Sequence, residues 1–126
     1  MLEISISPNG KEFKLPSSEK DKQEKQLLEK ITKTEKEKGR KIVTVQGMGF
    51  VGCVMAAVVA DATDENDKPY YFVHGHQRPS IRSFWKVPII NTGVPPVSSS
   101  DKEVPEIFKR TVDEKKTLRA TWHNYA

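Results

Sequence analysis

The chain opens on alternation. Leu2, Ile4 and Ile6 are separated by Glu3, Ser5 and Ser7, Pro8-Asn9-Gly10 carries turn chemistry, and Phe13 and Leu15 alternate again. A period of two on both sides of such a turn predicts a small hairpin over residues 1–16, an edge ribbon that packs on something larger. The pattern then becomes charged. Residues 18–38 predict a helix, with Ser18-x-x-Asp21 as a capping box and Gly39 as its stop. Asp21 with Lys25 and Glu29 with Lys33 are i,i+4 pairs of the supporting polarity. Only Leu27, Leu28 and Ile31 form an apolar stripe, so this helix is expected to dock weakly and leave the rest solvated. The alternative is a basic arm for nucleic acid, and the interleaved Glu19, Asp21, Glu24, Glu29, Glu35 and Glu37 argue against it.

From Lys41 the composition changes. Ile42, Val43 and Val45 read as a buried strand, and Phe50 to Ala62 as an apolar, small-residue helix. Asp64-Glu65-Asn66-Asp67 is a polar loop. Tyr70-Tyr71-Phe72-Val73 reads as a second buried strand, running into His74-Gly75-His76-Gln77-Arg78-Pro79. Strand, turn, helix, strand is a βαβ unit, which requires a parallel sheet and a right-handed crossover. Residues 80–99, with Pro88, Gly93, Pro95 and Pro96, read as irregular. Ser100-x-x-Glu103 would cap a further helix with Pro105 in its first turn and Val104, Ile107, Phe108 and Val112 on its core face. Leu118, Ala120 and Trp122 alternate with Arg119 and Thr121 as a third strand. The expected fold is α/β: a partial Rossmann-like open parallel sheet with flanking helices, plus an N-terminal hairpin and charged helix. Residues 1–40 would form an N-terminal extension, and 41–126 the first part of a dinucleotide-binding domain.

At 126 residues one domain is expected, smaller than a complete two-domain oxidoreductase. A net charge of +4 favours anionic ligands such as phosphates, and no nucleic-acid partner is expected. Cys53 is the only cysteine, which excludes an intrachain disulfide and suits a reducing cytoplasm. The N-terminus has no basic segment followed by an apolar run, and the mostly apolar run from Val51 to Ala60 is too short to span a bilayer. The expected location is cytoplasmic, with no membrane partner.

Between the first strand and its helix stands Gly47-Met48-Gly49-Phe50-Val51-Gly52, a G-x-G-x-x-G turn in the strand–helix–strand context that a dinucleotide fingerprint needs. The first glycine permits the tight turn, the second lets the backbone approach a pyrophosphate, and the third lets helix and strand pack closely. The phosphates would rest on the N–H groups at the helix start. The alternative is a structural glycine turn without a ligand. At the end of the second strand an Asp or Glu usually accepts the ribose hydroxyls, and here Gln77 and Arg78 stand instead. Gln77 can accept through its amide oxygen but brings no charge. Arg78 either pairs a ribose 2′-phosphate, favouring NADP, or is a plain loop cation beside Pro79. His74-x-His76 puts two imidazoles on one face of a strand, but a metal needs three or four ligands, and neither Cys53 nor His123 has obvious spacing. Cys53 reads as a small buried helix residue, and Trp85, Trp122 and Tyr125 as packing residues.

Together with that turn, further residues resemble the nucleotide-sugar dehydrogenases, the UDP-glucose and UDP-N-acetylmannosamine dehydrogenase family. "KIVTVQGMGFVG" resembles their opening strand and G-x-G-[FY]-V-G turn, Lys86-Val87 their Lys-Val, "IINTGVPPV" their N-x-G-x-x-P-[IV] segment, and "LRAT" a short later strand. The resemblance implies an oxidoreductase of polysaccharide biosynthesis. The parent would use NAD to oxidise a UDP-sugar C6 alcohol to the uronic acid. By this resemblance Gly47, Gly49, Phe50, Val51 and Gly52 hold the pyrophosphate turn, and Lys86 approaches the adenosine ribose or a phosphate; Met48 within the turn, and Gln77 and Arg78 at the strand end, complete the expected cofactor site. Gln77 replaces the family's Asp, and Ser98-Ser99 stand where the family has Glu-Pro. The family's Thr-Pro loop, its Lys and Asn pair and its catalytic Cys have no counterpart in these residues, so the chain is expected to be a fragment that binds cofactor without catalysing. The expected partners are the dinucleotide, the missing C-terminal half and, through an unpaired sheet edge, a second copy of the chain. A non-catalytic nucleotide- or partner-binding module is the alternative.

Overall fold

Three parallel strands form the centre of the computed structural model, which describes residues 3–98 and 100–123. Leu2, Ser99 and Tyr125 lie outside the described residues. A hairpin of β1 (Ile4–Ile6) and β2 (Glu12–Lys14) leads into helix α1 (Ser18–Glu37). Strand β3 (Lys41–Gln46), helix α2 (Phe50–Asp61) and strand β4 (Tyr71–His76) follow. Then come α3 (Lys86–Asn91), α4 (Glu103–Lys109), one π-helical turn (Arg110–Glu114) and β5 (Leu118–Thr121). The sheet order is β3-β4-β5, parallel throughout, with Val43 beside Val73 and Gly75 beside Ala120. This is an α/β fold with a partial Rossmann-like open sheet, flanking helices and an antiparallel hairpin.

Alternation along the strands divides the sheet into two chemically different faces. Cys53, Ala56, Ala57 and Ala60 of α2 are fully buried in one apolar cluster with Met48, Val73, Leu118 and Ala120. Their small size lets α2 lie close to the sheet. Val104 and Phe108 of α4 extend this core, while Val51, Met55 and Val58 on the outer side of α2 remain exposed. The opposite face, under α1, combines the buried Phe72 and Leu28 with a set of polar contacts. There Arg119 of β5 donates two hydrogen bonds to the buried Glu24, at 2.6 and 2.8 Å, and the Thr121 hydroxyl donates a third at 2.6 Å. Trp122 Nε1 donates to Asp21, and Arg40 pairs with the buried Glu35. Of the expected apolar stripe, Leu28 is buried, Ile31 half-buried and Leu27 exposed. Leu28 and Ile31 of that stripe therefore dock α1 together with these polar pairs to the sheet.

The hairpin forms as expected, whereas the helix caps and the irregular segment are corrected. The hairpin turns its serines inward. Register pairs Ser5 with Phe13, so the side on which Phe13 and Leu15 pack against the core is also the side of Ser5. Ser5 is fully buried and its hydroxyl accepts from the Trp85 N–H at 2.9 Å, while Ile6 is exposed. The N-cap of α1 is Ser17 rather than Ser18, accepting from the Lys20 N–H at 3.2 Å, and Asp101 rather than Ser100 accepts the Glu103 N–H ahead of α4. Finally, residues 86–91 of the expected irregular segment are helical. Pro88 lies in the first turn of α3, where a missing N–H costs nothing. Asn91 at its end clamps β5, donating to the Ala120 carbonyl and accepting its N–H at 3.0 and 2.8 Å.

The face under α1 makes the fold sensitive to acid. His74 is almost fully buried on β4, with Nε2 3.3 Å from the Thr32 hydroxyl and Nδ1 without a hydrogen-bond partner. Burial and then the Arg119 charge lower its pKa to about 4, against a smaller opposing pull from Glu24. The folded chain therefore keeps His74 neutral over a range in which the unfolded chain protonates it. Stability should be fully present above pH 6.5 and fall as pH drops toward 4, by about 3 kcal/mol from this group. Denaturant titrations at several pH values should show that slope in the wild type and a much shallower one in His74→Gln. Equal slopes would remove His74 as the cause.

Candidate functional site

The glycine turn sits at the C-terminal ends of β3 and β4, where open α/β sheets receive ligands. Gly47 has φ +82°, a left-handed conformation that turns the chain out of β3. Its N–H donates to the His76 carbonyl at 2.8 Å, tying the turn to the end of β4. Three residues on, α2 begins. The first helical bond runs from the Cys53 N–H to the Gly49 carbonyl at 2.9 Å, so the N–H groups of Phe50, Val51 and Gly52 precede it. No side chain caps this end. The positive end of α2 and its leading N–H groups thus border the turn, an arrangement that suits a phosphate.

The three glycines are glycine for different reasons. A methyl group on Gly52 would stand 2.0 Å from the Gly47 carbonyl oxygen, so this position is dictated by packing of helix on turn. Gly47 is dictated by its backbone conformation. At Gly49, in contrast, φ is −73° and nothing lies within 4 Å of where a Cβ would be. The fold does not require glycine there, and the space beside it is open.

Met48 does not present its side chain to that space. It is fully buried and packs over Gly75 of β4, where a Cβ would meet its methyl at 2.7 Å. Its N–H donates to Oε1 of Gln77 at 2.9 Å. The Gln77 N–H in turn donates to the Thr121 carbonyl at 2.9 Å, so β5, the end of β4 and the glycine turn form one hydrogen-bonded chain. Gln46, Gly47, His76, Gln77, Arg78 and Pro79 line a cleft of about 510 Å³ beside the turn. Arg78 is exposed there, and its carbonyl is anchored by the Ser83 hydroxyl and the Ser80 N–H. Phe50 and Val51 are exposed at the start of α2. Lys86 stands at the start of α3, with its ammonium 6.0 Å from the Trp85 ring centre, and its charge reaches Cys53 in the first turn of α2.

Other candidates acquire definite places. Cys53 is buried and its thiol lies 3.4 Å from the Phe50 carbonyl; burial raises its pKa, opposed by the Lys86 charge. That is the setting of a core cysteine, not of a nucleophile. Trp122 packs edge-on against Phe84, with centroids 5.6 Å apart, and Trp85 is buried. His74 and His76 share one face of β4, and among the described residues no group of three or more metal-ligating side chains occurs. Among the same residues no helix is long and apolar enough to cross a membrane. An apolar recess of about 420 Å³ involving Ile31, Phe72, Val112 and Leu118 adjoins the N-terminal ends of β4 and β5, away from the turn. The bond between Gln77 and Met48 could not be read from sequence, because nothing local reports which partner a strand-end amide meets.

Fold and turn together define a class: the first βαβ unit of a Rossmann-like fold, carrying a third parallel strand. Among solved structures the chain is similar to the NDP-N-acetyl-D-galactosaminuronic acid dehydrogenase from Methanosarcina mazei Go1, with 31% identity and a TM-score of 0.56 over 73% of the chain. The chain spans only 18% of that protein's length. The nucleotide-sugar dehydrogenase resemblance carried by the glycine turn and the later segments is therefore met in three dimensions, for the N-terminal portion of such an enzyme. No family model matches the chain, and the curated proteins give no match.

Proposed function

We propose that residues 41–126 are the cofactor-binding portion of a nucleotide-sugar dehydrogenase, with residues 1–40 as an addition to it. The whole enzyme would use a nicotinamide dinucleotide to oxidise the C6 alcohol of a UDP-sugar to the uronic acid. This portion contributes binding and orientation, and the chemistry of hydride transfer belongs to the cofactor and to residues elsewhere. Gly47, Gly49 and the leading N–H groups of α2 receive the pyrophosphate. Gln77 and Arg78 face the adenosine ribose. Met48 acts as a positioning residue, its side chain packed on Gly75 and its N–H holding Gln77. Lys86 is proposed to approach the cofactor from the start of α3. Of the partners, a further part of the enzyme is favoured by the exposed Val51, Met55 and Val58 of α2.

One observation carries this reading: the fold needs glycine at 47 and 52, yet leaves open space at 49. A residue that the fold leaves free, at the point where a pyrophosphate must approach backbone, supports a ligand-binding turn over a purely structural one. Gly49→Val should therefore lower dinucleotide affinity at least about tenfold, or about 1.4 kcal/mol. Its melting temperature should stay within about 4 °C of wild type, a change below about 1 kcal/mol. Calorimetric titration with NAD and NADP, beside a thermal melt, measures both. Undiminished binding in Gly49→Val would show that the pyrophosphate lies elsewhere.

A further inference from the structure

We propose that the cleft at the end of β4 selects a dinucleotide whose adenosine ribose carries a 2′-phosphate. The inference rests on the pyrophosphate lying at the glycine turn, and it concerns the ribose end of the same site. Where a carboxylate stands at the end of the second strand, it accepts hydrogen bonds from the ribose diol and repels a phosphate dianion. Gln77 removes that repulsion. The hydrogen bond from Met48 also fixes which way the amide points. A backbone N–H can donate only to the amide oxygen, so Oε1 faces the turn and the NH₂ group, with its two donors, is turned away from it. The strand end therefore offers hydrogen-bond donors where a carboxylate would offer only acceptors.

Arg78 supplies the charge. It follows Gln77 directly, lines the same cleft, and among the described residues no carboxylate lies within ion-pairing distance of its guanidinium. Its backbone is held by two hydrogen bonds from the following turn, so the side chain projects from a fixed point. None of the residues lining the cleft is acidic. The planar, permanently charged guanidinium matches the oxygens of a phosphate monoester and gains much less from a neutral hydroxyl.

The test is a comparison of affinities on the full chain. NADP should bind at least about tenfold tighter than NAD, and adenosine 2′,5′-bisphosphate should compete better than adenosine 5′-monophosphate. Arg78→Ala should bring the ratio of the two dinucleotide affinities close to one, and Gln77→Glu should turn it in favour of NAD. If NAD binds as tightly as NADP, or the ratio survives Arg78→Ala, the 2′-phosphate assignment is overturned while the glycine-turn reading stands. If neither dinucleotide binds, the glycine-turn reading itself fails, and this inference with it.

Discussion

Gly52→Ala is expected to destabilise the chain by about 3 kcal/mol or more, although it adds a single methyl group. The methyl would lie 2.0 Å from the Gly47 carbonyl oxygen, a backbone atom that cannot rotate aside. Relief requires α2 to move away from the turn. That movement would disturb the packing of Cys53, Ala56 and Ala60 in the core cluster. Chemical denaturation should show the loss directly, and dinucleotide affinity should fall together with the fold. Gly49→Val is expected to give the opposite combination, a stable chain with weakened binding. The two variants, three positions apart in one motif, would then separate packing from binding. A Gly52→Ala variant as stable as wild type would mean that helix and turn are less closely packed than described.

Glu24→Ala should be comparably severe, about 3 kcal/mol in the same denaturation experiment. Glu24 is buried and receives three hydrogen bonds, two from Arg119 and one from the Thr121 hydroxyl. Burial alone would raise its pKa, but the Arg119 and Thr121 bonds and the Arg119 charge outweigh it and hold the carboxyl below its usual range. Removing it strands a guanidinium and a buried hydroxyl under α1. The comparison is the Glu35–Lys38 pair, whose lysine is 54% exposed and whose loss should cost well under 1 kcal/mol. Replacing Glu24 and Arg119 together by leucine should cost much less than the sum of the two single changes, because no charge is then left alone. Additive losses would show that the two side chains do not act as a pair.

The central βαβ unit was legible because its signals are local. Val43 and Val45 precede a glycine spacing that fits only a strand-to-helix turn, and the small residues of α2 match a helix pressed against a sheet. The polar attachment of α1 was not legible, since Glu24 and Arg119 are 95 residues apart and each alone looks like a solvated charge. The inward face of the hairpin was not legible for a related reason. The face taken by Ile4 and Ile6 depends on register against β2, and there Phe13 and Leu15 prevail. Pro88 concealed α3 because a proline in a first turn looks, in sequence, like one that breaks a chain. At the candidate site the turn was readable, whereas the amide orientation of Gln77 depends on a bond to a residue 29 positions away.

The two edges of the sheet have different prospects. Along β5 the Asn91 side chain already occupies the outward N–H and C=O of Ala120, so that border is closed to another strand. Among the described residues β3 pairs on one side only, and its other border is the one at which the sheet can widen. Since α2 and α4 both lie on one face, a parallel strand added beside β3 runs in the reverse order and, by the right-handed rule, must bring its connecting helix across the other face. That face already carries α1, fastened through Glu24, Asp21 and Thr32. Widening of the sheet would therefore bring any incoming helix onto ground that α1 already covers.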